Sequence, residues 1–327
     1  MQHHIVIVGG LDSIGYYLAR ELLRTKYIVT LVDDPKQYPV SEKNYSDRIA
    51  ELGQLGKFYY VNCYYGFSEY VRKEIHCIIY CDYLASKEIS LLNPMIILEC
   101  SRLAINKNVP FVFLSSYLRY TYGYKAEINS FSVDDSRCIR LFDWYSQLRY
   151  LLGENFAENE LKDTGVLLVV PVFWWLYGDD FDCSMERSRI DTFLEYSFDD
   201  VSLERSKFDV VLPENCETLN HHPYQTSVSN AVLIIKRLLL LIVDVKARMV
   251  FKRTFQENEN VSERSKNIFK FDVGFESGKS TFGIIKERAE ELSRAVVVRD
   301  IECHENIANL FNGMPNLEKM YKYFPIN

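Results

Sequence analysis

The sequence predicts an α/β chain, a parallel β-sheet with helices on both faces joined to a smaller C-terminal lobe. Three observations predict it. Short β-branched or aromatic runs alternate with helix-period patterns over the first 115 residues, the order that builds parallel sheets. The runs are short and nearly continuous, as from Cys77 to Cys81, which suits strands buried on both faces. The chain opens on such a run, passes through a cluster of glycines, and continues as an amphipathic helix.

The opening unit carries the most information. Ile5 to Val8 is the first strand. Gly9, Gly10 and Gly15 follow, and Ile14, Leu18, Leu22 and Leu23 form one apolar helix face. Tyr27 to Val32 is the second strand and ends at Asp33. Strand, tight turn, helix, strand and acid make the first βαβ unit of a dinucleotide-binding, Rossmann-like fold. Glycines let the backbone turn sharply and approach a pyrophosphate, which sits where a helix N-terminus offers unpaired N–H groups. Asp33 is placed to accept from ribose hydroxyls. Its charge disfavours a 2′-phosphate, so NAD is expected in preference to NADP. Asp12 puts a carboxylate, followed by Ser13, in the middle of the turn. There it either repels a pyrophosphate or caps the helix, for which it is a good residue. Both readings stand at this point.

The remaining elements follow in order. Pro35 to Asp47 is a polar stretch, and Ile49 to Leu55 a helix. Phe58 to Val61 is the third strand, ending at Asn62-Cys63, and Phe67 to Glu74 a short helix. Cys77 to Cys81 is the fourth strand, Pro94 to Asn106 a helix, and Pro110 to Leu114 the fifth strand, ending in Ser115-Ser116. Ligands of such sheets bind beyond the carboxyl ends of the strands. Those ends are Gly9-Gly10, Asp33, Asn62, Asp82 and Ser115-Ser116. A helix from Leu141 to Glu154 carries Tyr145 and Arg149, whose i, i+4 spacing puts phenol and guanidinium on one face. Gly165 to Val172 is the sixth strand and leads into Phe173-Trp174-Trp175 and Tyr177-Gly178. Asp179 to Pro213 is charge-rich and unassigned. Ala231 to Val245 is a buried helix, Asn258 to Lys266 an exposed loop, and Ile268 to Val273 a strand. Gly274 to Gly278 is a turn, Thr281 to Ser293 a helix, and Leu310 to Pro325 a short helix with a Tyr-rich tail. Residues 1–170 are expected to form the Rossmann domain. Residues 171–327 are expected to form mainly the C-terminal lobe, with some segments returning to the sheet.

Composition narrows the function classes. A net charge of −7 over 327 residues argues against nucleic-acid or anionic-membrane partners. The eight cysteines show neither CxxC nor zinc spacing, and several lie in apolar runs where free Cys acts as a small hydrophobe. A reducing, cytoplasmic setting is expected. With the first strand beginning so early, no leader peptide is expected. The Ala231–Val245 run is interrupted by Lys236-Arg237 and is too short to span a bilayer. His221 and His222 are adjacent, so in a strand they point opposite ways and cannot share a metal, and no metal is expected. Gly278-Lys279-Ser280 lacks the full phosphate-loop pattern.

Several of these segments, taken together, resemble the extended short-chain dehydrogenase/reductase family, in its NAD-dependent nucleotide-sugar epimerase/dehydratase branch. The similarity runs over nearly the whole chain. Gly9-Gly10-Leu11-Asp12-Ser13-Ile14-Gly15 is similar to that family's Gly-Gly-x-Gly-x-Ile-Gly. Ser115-Ser116 with Tyr122-Gly123 resembles its Ser-Ser and Tyr-Gly, and Tyr145-x-x-x-Arg149 its Tyr-x-x-x-Lys. Pro171 with Tyr177-Gly178, and the late strand–turn–helix from Phe271 to Leu292, complete the likeness. The resemblance implies hydride transfer between a substrate carbon and a nicotinamide. Tyr145 would be the acid/base at a sugar oxygen, Ser116 would orient that oxygen, and Arg149 would stand for the lysine. Gly9, Gly10, Ile14, Gly15 and Asp33 would hold NAD. It also implies a homodimer pairing through a four-helix bundle, to which Leu141, Leu148, Leu151 and Leu152 could contribute.

Four departures fall on the cofactor site: Asp12, Asn62 for an acid, Asp82-Tyr83 for small residues, and Arg149 for lysine. A guanidinium is bulkier than an ammonium and planar, and cannot place one compact charge between phenol and ribose. A literal Tyr-x-x-x-Lys at Tyr83 to Lys87 comes directly after the fourth strand, far too early in the chain. Two functions therefore remain open: an NAD-dependent enzyme on a nucleotide sugar, or a non-catalytic relative serving as a scaffold or regulatory subunit.

Overall fold

In the computed structural model the described residues are 2–11, 14–34, 42–71, 74–81, 94–116, 152–174, 176–177, 209–213, 224–256, 267–276, 278–291 and 295–299. The first strand, β1 (His4–Val8), lies at the centre of a sheet that has eight strands among the described residues. Its neighbours are β2 (Ile28–Val32), then β3 (Phe58–Val61) at one edge. On the other side run β4 (Cys77–Tyr80), β5 (Phe111–Phe113), β7 (Leu168–Phe173) and β11 (Ile268–Val273), with β6 (Ser115–Ser116) also paired to β7. Every pairing in this sheet is parallel. The chain steps outward from β1 to β3 and then crosses back to β4. The order therefore reverses between β1 and β4, whose register sets Val8 opposite Tyr80. Such a switch point leaves a crevice at the carboxyl ends of both strands.

Alternation of side chains divides the core into two. Ile5, Ile7, Val29, Leu31 and Ile79 pack on one face of the sheet. There they meet α1 (Ile14–Arg24), α2 (Glu42–Leu55) and α6 (Val228–Ile242). Val6, Val8, Ile78, Phe111 and Val170 pack on the other, against α3 (Phe67–Tyr70), α4 (Pro94–Lys107) and the helical turns at 152–161, here α5. The period of two in each strand thus serves two helical layers.

Several boundaries differ from expectation. The helix expected from Ile49 begins at Glu42, because Tyr45, 4% exposed, anchors an otherwise polar first turn in the core. The α3 helix stops at Tyr70 instead of Glu74, since Val71 leaves helical geometry at φ −86, ψ 67. The β7 strand starts at Leu168 instead of Gly165, which sits in a left-handed turn at φ 75. The apolar run expected as one helix to Val245 is two helices, α6 and then α7 (Val245–Gln256). Asp244 breaks it by accepting from the Ala247 N–H at 2.9 Å, while Arg248 donates to the Ile242 and Val243 carbonyls at 2.6 and 3.1 Å. At its start α6 is capped as a Ser should cap it, Ser227 Oγ accepting from the Asn230 N–H at 3.1 Å.

Outside the main sheet, β8 (Leu176–Tyr177), β10 (Tyr224–Ser227) and β12 (Phe275–Glu276) form a three-stranded sheet, so the expected 274–278 turn contains a short strand. The β9 strand (Asp209–Pro213) pairs in parallel with β13 (Ala295–Arg299), in segments the sequence left unassigned. The last helix among the described residues is α8 (Thr281–Glu291), and the helix expected from Leu310 to Pro325 lies outside them.

Candidate functional site

The turn after β1 is built on two left-handed glycines, Gly9 at φ 83 and Gly10 at φ 79. Only glycine adopts this conformation without steric cost. The start of α1 then presses on the turn. A Cβ on Gly15 would lie 2.5 Å from the Gly9 carbonyl oxygen and 2.8 Å from that of Gly10. The Tyr16 N–H donates to the Gly10 carbonyl at 2.8 Å, and Ile14 is fully buried in the core beneath.

Asp33, expected to accept from ribose hydroxyls, is the counterpart of this turn. It is 0% exposed. Its Oδ2 accepts from the Leu11 N–H at 2.7 Å, and its Oδ1 from the buried Tyr64 hydroxyl at 2.7 Å. The carboxylate therefore ties the glycine turn to the end of β2. Beside it the Tyr60 hydroxyl donates to the Asp33 carbonyl at 3.4 Å. Its phenol is pushed well above the ordinary tyrosine value, first by burial and then by the charges of Asp33 and Asp34. Asn62, at the end of β3, is exposed.

A second set of groups grips the turn from α2, and sequence reasoning missed it. Arg48 Nη1 donates to the Leu11 carbonyl at 2.7 Å, and its guanidinium lies 4.8 Å from the centre of the Tyr16 ring. The Tyr16 hydroxyl in turn donates to Glu51, and burial followed by that carboxylate raises the phenol. Arg20 sits over Tyr16 and Tyr17 at 5.5 and 5.2 Å. The signal lay in the polar stretch before Ile49. Once the helix starts at Glu42, Tyr45, Arg48 and Leu52 fall on one face, at i, i+3 and i+7.

At the far side of the crevice β6 presents Ser115 and Ser116, both buried. The Ser115 hydroxyl donates to Glu154 Oε1 at 2.5 Å. Glu154, 1% exposed, also accepts from Lys270 Nζ at 3.3 Å, and Lys270 pairs with Glu158 as well. In β7 and β11, Val172 pairs with both Ser115 and Asp272, so these residues stand in one register across three strands. The Trp174 indole N–H donates to Asp272 at 3.3 Å. Helix α5 approaches closely here, for a Cβ on Gly153 would come 2.9 Å from the Phe113 ring. Gly9, Gly10, Gly15 and Asp33 are thus brought into one constellation, with Ser116 at the carboxyl end of the sheet further along. Asp12, Ser13, Asp82, Tyr145 and Arg149 lie outside the described residues, as do Tyr83, Lys87, Trp175 and His221-His222.

No family model and no curated protein matches the sequence. Solved structures do match. UDP-glucuronic acid 4-epimerase from Bacillus cereus, in complex with NAD, superposes with a TM-score of 0.57 at 13% identity, over 90% of this chain and 87% of that one. UDP-glucose 4-epimerase from Thermotoga maritima, with UDP-glucose, gives 0.56 at 12% identity over 98% and 91%. The Thermus thermophilus UDP-glucose 4-epimerase complex with NAD gives 0.52 at 14% over 90% and 85%. The chain has the fold of the UDP-sugar 4-epimerases. At such identities the likeness is one of fold. In the epimerase fold as this chain builds it, the glycine turn, Asp33 and Ser115-Ser116 all occupy carboxyl ends of parallel strands. Among the described residues no helix is long and apolar enough to cross a membrane.

Proposed function

We propose that this chain is an NAD-dependent oxidoreductase acting on a nucleotide sugar, of the epimerase or dehydratase kind. One observation carries the reading: a left-handed Gly9-Gly10 turn, pressed by Gly15 and tied through the Leu11 N–H to a buried acid at the end of β2. That shape accommodates a dinucleotide diphosphate, because close backbone approach is possible only where no Cβ intrudes. Gly9, Gly10, Gly15 and Asp33 would hold the cofactor, with Ser13 and Ile14 lying between the glycines in the sequence and Asn62 following β3. The fold likeness supports this reading, since structures of that fold were solved with NAD and with UDP-sugars. All are enzymes by name, and a scaffold role draws no support from them.

Bound NAD supplies a reversible hydride acceptor. The chain's own residues would manage the proton and the geometry. Tyr145 would take the proton from a sugar hydroxyl, which requires its phenol, ordinarily near pKa 10, to ionise at neutral pH. The fixed positive charge of Arg149, four residues on in the sequence, would lower that value in a pocket closed to water. Ser116 would orient the reacting oxygen. Its neighbour Ser115 is locked to Glu154, which fixes the backbone that carries it. Residues 1–170 would hold the cofactor and most of 171–327 the sugar. A pair of copies would meet through the helix carrying Leu141, Leu148, Leu151 and Leu152, of which Leu152 is exposed at 39%.

The test is turnover of a panel of UDP- and dTDP-sugars with NAD, in wild type and in Tyr145→Phe. Interconversion or dehydration by wild type, reduced at least 100-fold in Tyr145→Phe, is expected. No reaction by wild type that binds both NAD and sugar would overturn the proposal.

A further inference from the structure

We infer that Arg48 is a cofactor-positioning residue, recruited from α2 to bring a positive charge to the dinucleotide diphosphate; this rests on the NAD reading above. Leu11 is the first residue after the two glycines, and its peptide groups are gripped from two sides. Its N–H is held by Asp33 and its carbonyl by Arg48, each at 2.7 Å. The Gly10 carbonyl is already taken by the Tyr16 N–H at 2.8 Å. The two carbonyl oxygens flanking the turn are therefore both engaged by protein donors, and neither is left to repel an anion. A diphosphate approaching the turn is an anion, and a cation held beside the turn favours it. Arg48 is that cation. Its guanidinium is half-buried, fixed on one side by the Leu11 carbonyl and on the other by the Tyr16 ring at 4.8 Å. Glu51 holds the Tyr16 hydroxyl from the same helix, one turn on, so the ring cannot swing away without breaking that bond. A planar guanidinium can stack on a ring, donate to a carbonyl and still present further N–H groups, because it has five donors. Lysine can do only part of this.

The experiment is calorimetric titration of NAD into wild type, Arg48→Lys and Arg48→Gln at two salt concentrations, each variant checked for a folded melting transition. Wild type should bind, Arg48→Gln should bind at least 10-fold more weakly, and Arg48→Lys should fall between. A charge acting on the diphosphate also predicts that raising salt weakens wild type more than Arg48→Gln. A purely structural Arg48 would lower the melting temperature without changing that salt dependence. NAD binding by folded Arg48→Gln within twofold of wild type, or an identical salt dependence in the two, would overturn the inference while leaving the NAD reading intact. A wild type that binds no NAD would overturn both.

Discussion

The two ends of the candidate site are each organised by a buried carboxylate, and the two are held in different ways. Asp33 accepts from a backbone N–H and a phenol, both neutral. Glu154 accepts from a serine hydroxyl and from the ammonium of Lys270, whose side chain is 32% exposed. At the first end hydrogen bonds from neutral donors fix the backbone of the turn. At the second a single ammonium is shared between Glu154 and Glu158. The difference suits the ligands proposed for each: a dinucleotide oriented by backbone shape beside Asp33, and an uncharged sugar oxygen beside Ser116.

The contrast can be broken most directly at Asp33. Asp33→Ala strands the Leu11 N–H and the Tyr64 hydroxyl, and bonds to charged groups are worth about 1.5–3 kcal/mol each. A loss of roughly 3 kcal/mol or more in denaturant unfolding is expected, and a loss below about 1 kcal/mol would show that the carboxylate does not hold the turn. Next comes Gly15→Ala, whose methyl would meet backbone oxygens at 2.5 and 2.8 Å. Backbone cannot give way as a flexible side chain can, so a cost of about 1–3 kcal/mol is expected by the same measurement, together with loss of NAD binding. The serine end should respond more mildly. Lys270→Met leaves the 1% exposed Glu154 without its ammonium, and because Lys270 itself is 32% exposed the expected cost is about 1–2 kcal/mol, below the roughly 3–5 kcal/mol of a fully buried pair broken on one side. A larger loss would make the two carboxylates equivalent.

The smallest effect belongs to neither end and separates them from the background. His76, at the amino end of β4, accepts the His4 N–H on Nδ1 at 3.1 Å and packs edge-on against His3. Burial first, then His3 and Arg248, hold it below its ordinary value of 6.5, against an opposing pull from Glu74. The folded state then binds fewer protons than the unfolded one. His76 therefore contributes stability that is full above about 6.5 and declines as pH falls below it. Unfolding stability should fall slightly from pH 7 to 5.5 in wild type and stay flatter in His76→Gln. A slope unchanged by His76→Gln would shift attention to the carboxylates.

Much of the fold was legible because it is written in local period. The strands from Ile5, Phe58, Cys77 and Ile268 and the helices at Ile14 and Pro94 fall where alternation and the 3.6-residue repeat put them. Helix α2 was read short because its first turn is polar apart from Tyr45, and polarity there reports solvent, not loop. The break between α6 and α7 was hidden because it is made by Asp244 and Arg248 capping opposite helix ends, and hydrophobic period is blind to caps. At the site the glycines and Asp33 were legible by spacing alone. Arg48, Tyr64 and Lys270 were not, because their partners lie 37, 31 and 116 residues away in the chain. That Asp33 would be sealed under Tyr64 could not be read from its place at the end of a strand.

The central claim is that the glycine turn and Asp33 form a working dinucleotide site. The direct measurement is calorimetric titration of the purified chain with NAD, alongside an Asp33→Asn variant shown to be folded. The account predicts micromolar binding by wild type and at least a 10-fold loss in Asp33→Asn, about 1.4 kcal/mol. A wild type that binds neither NAD nor NADP at millimolar concentration would contradict it.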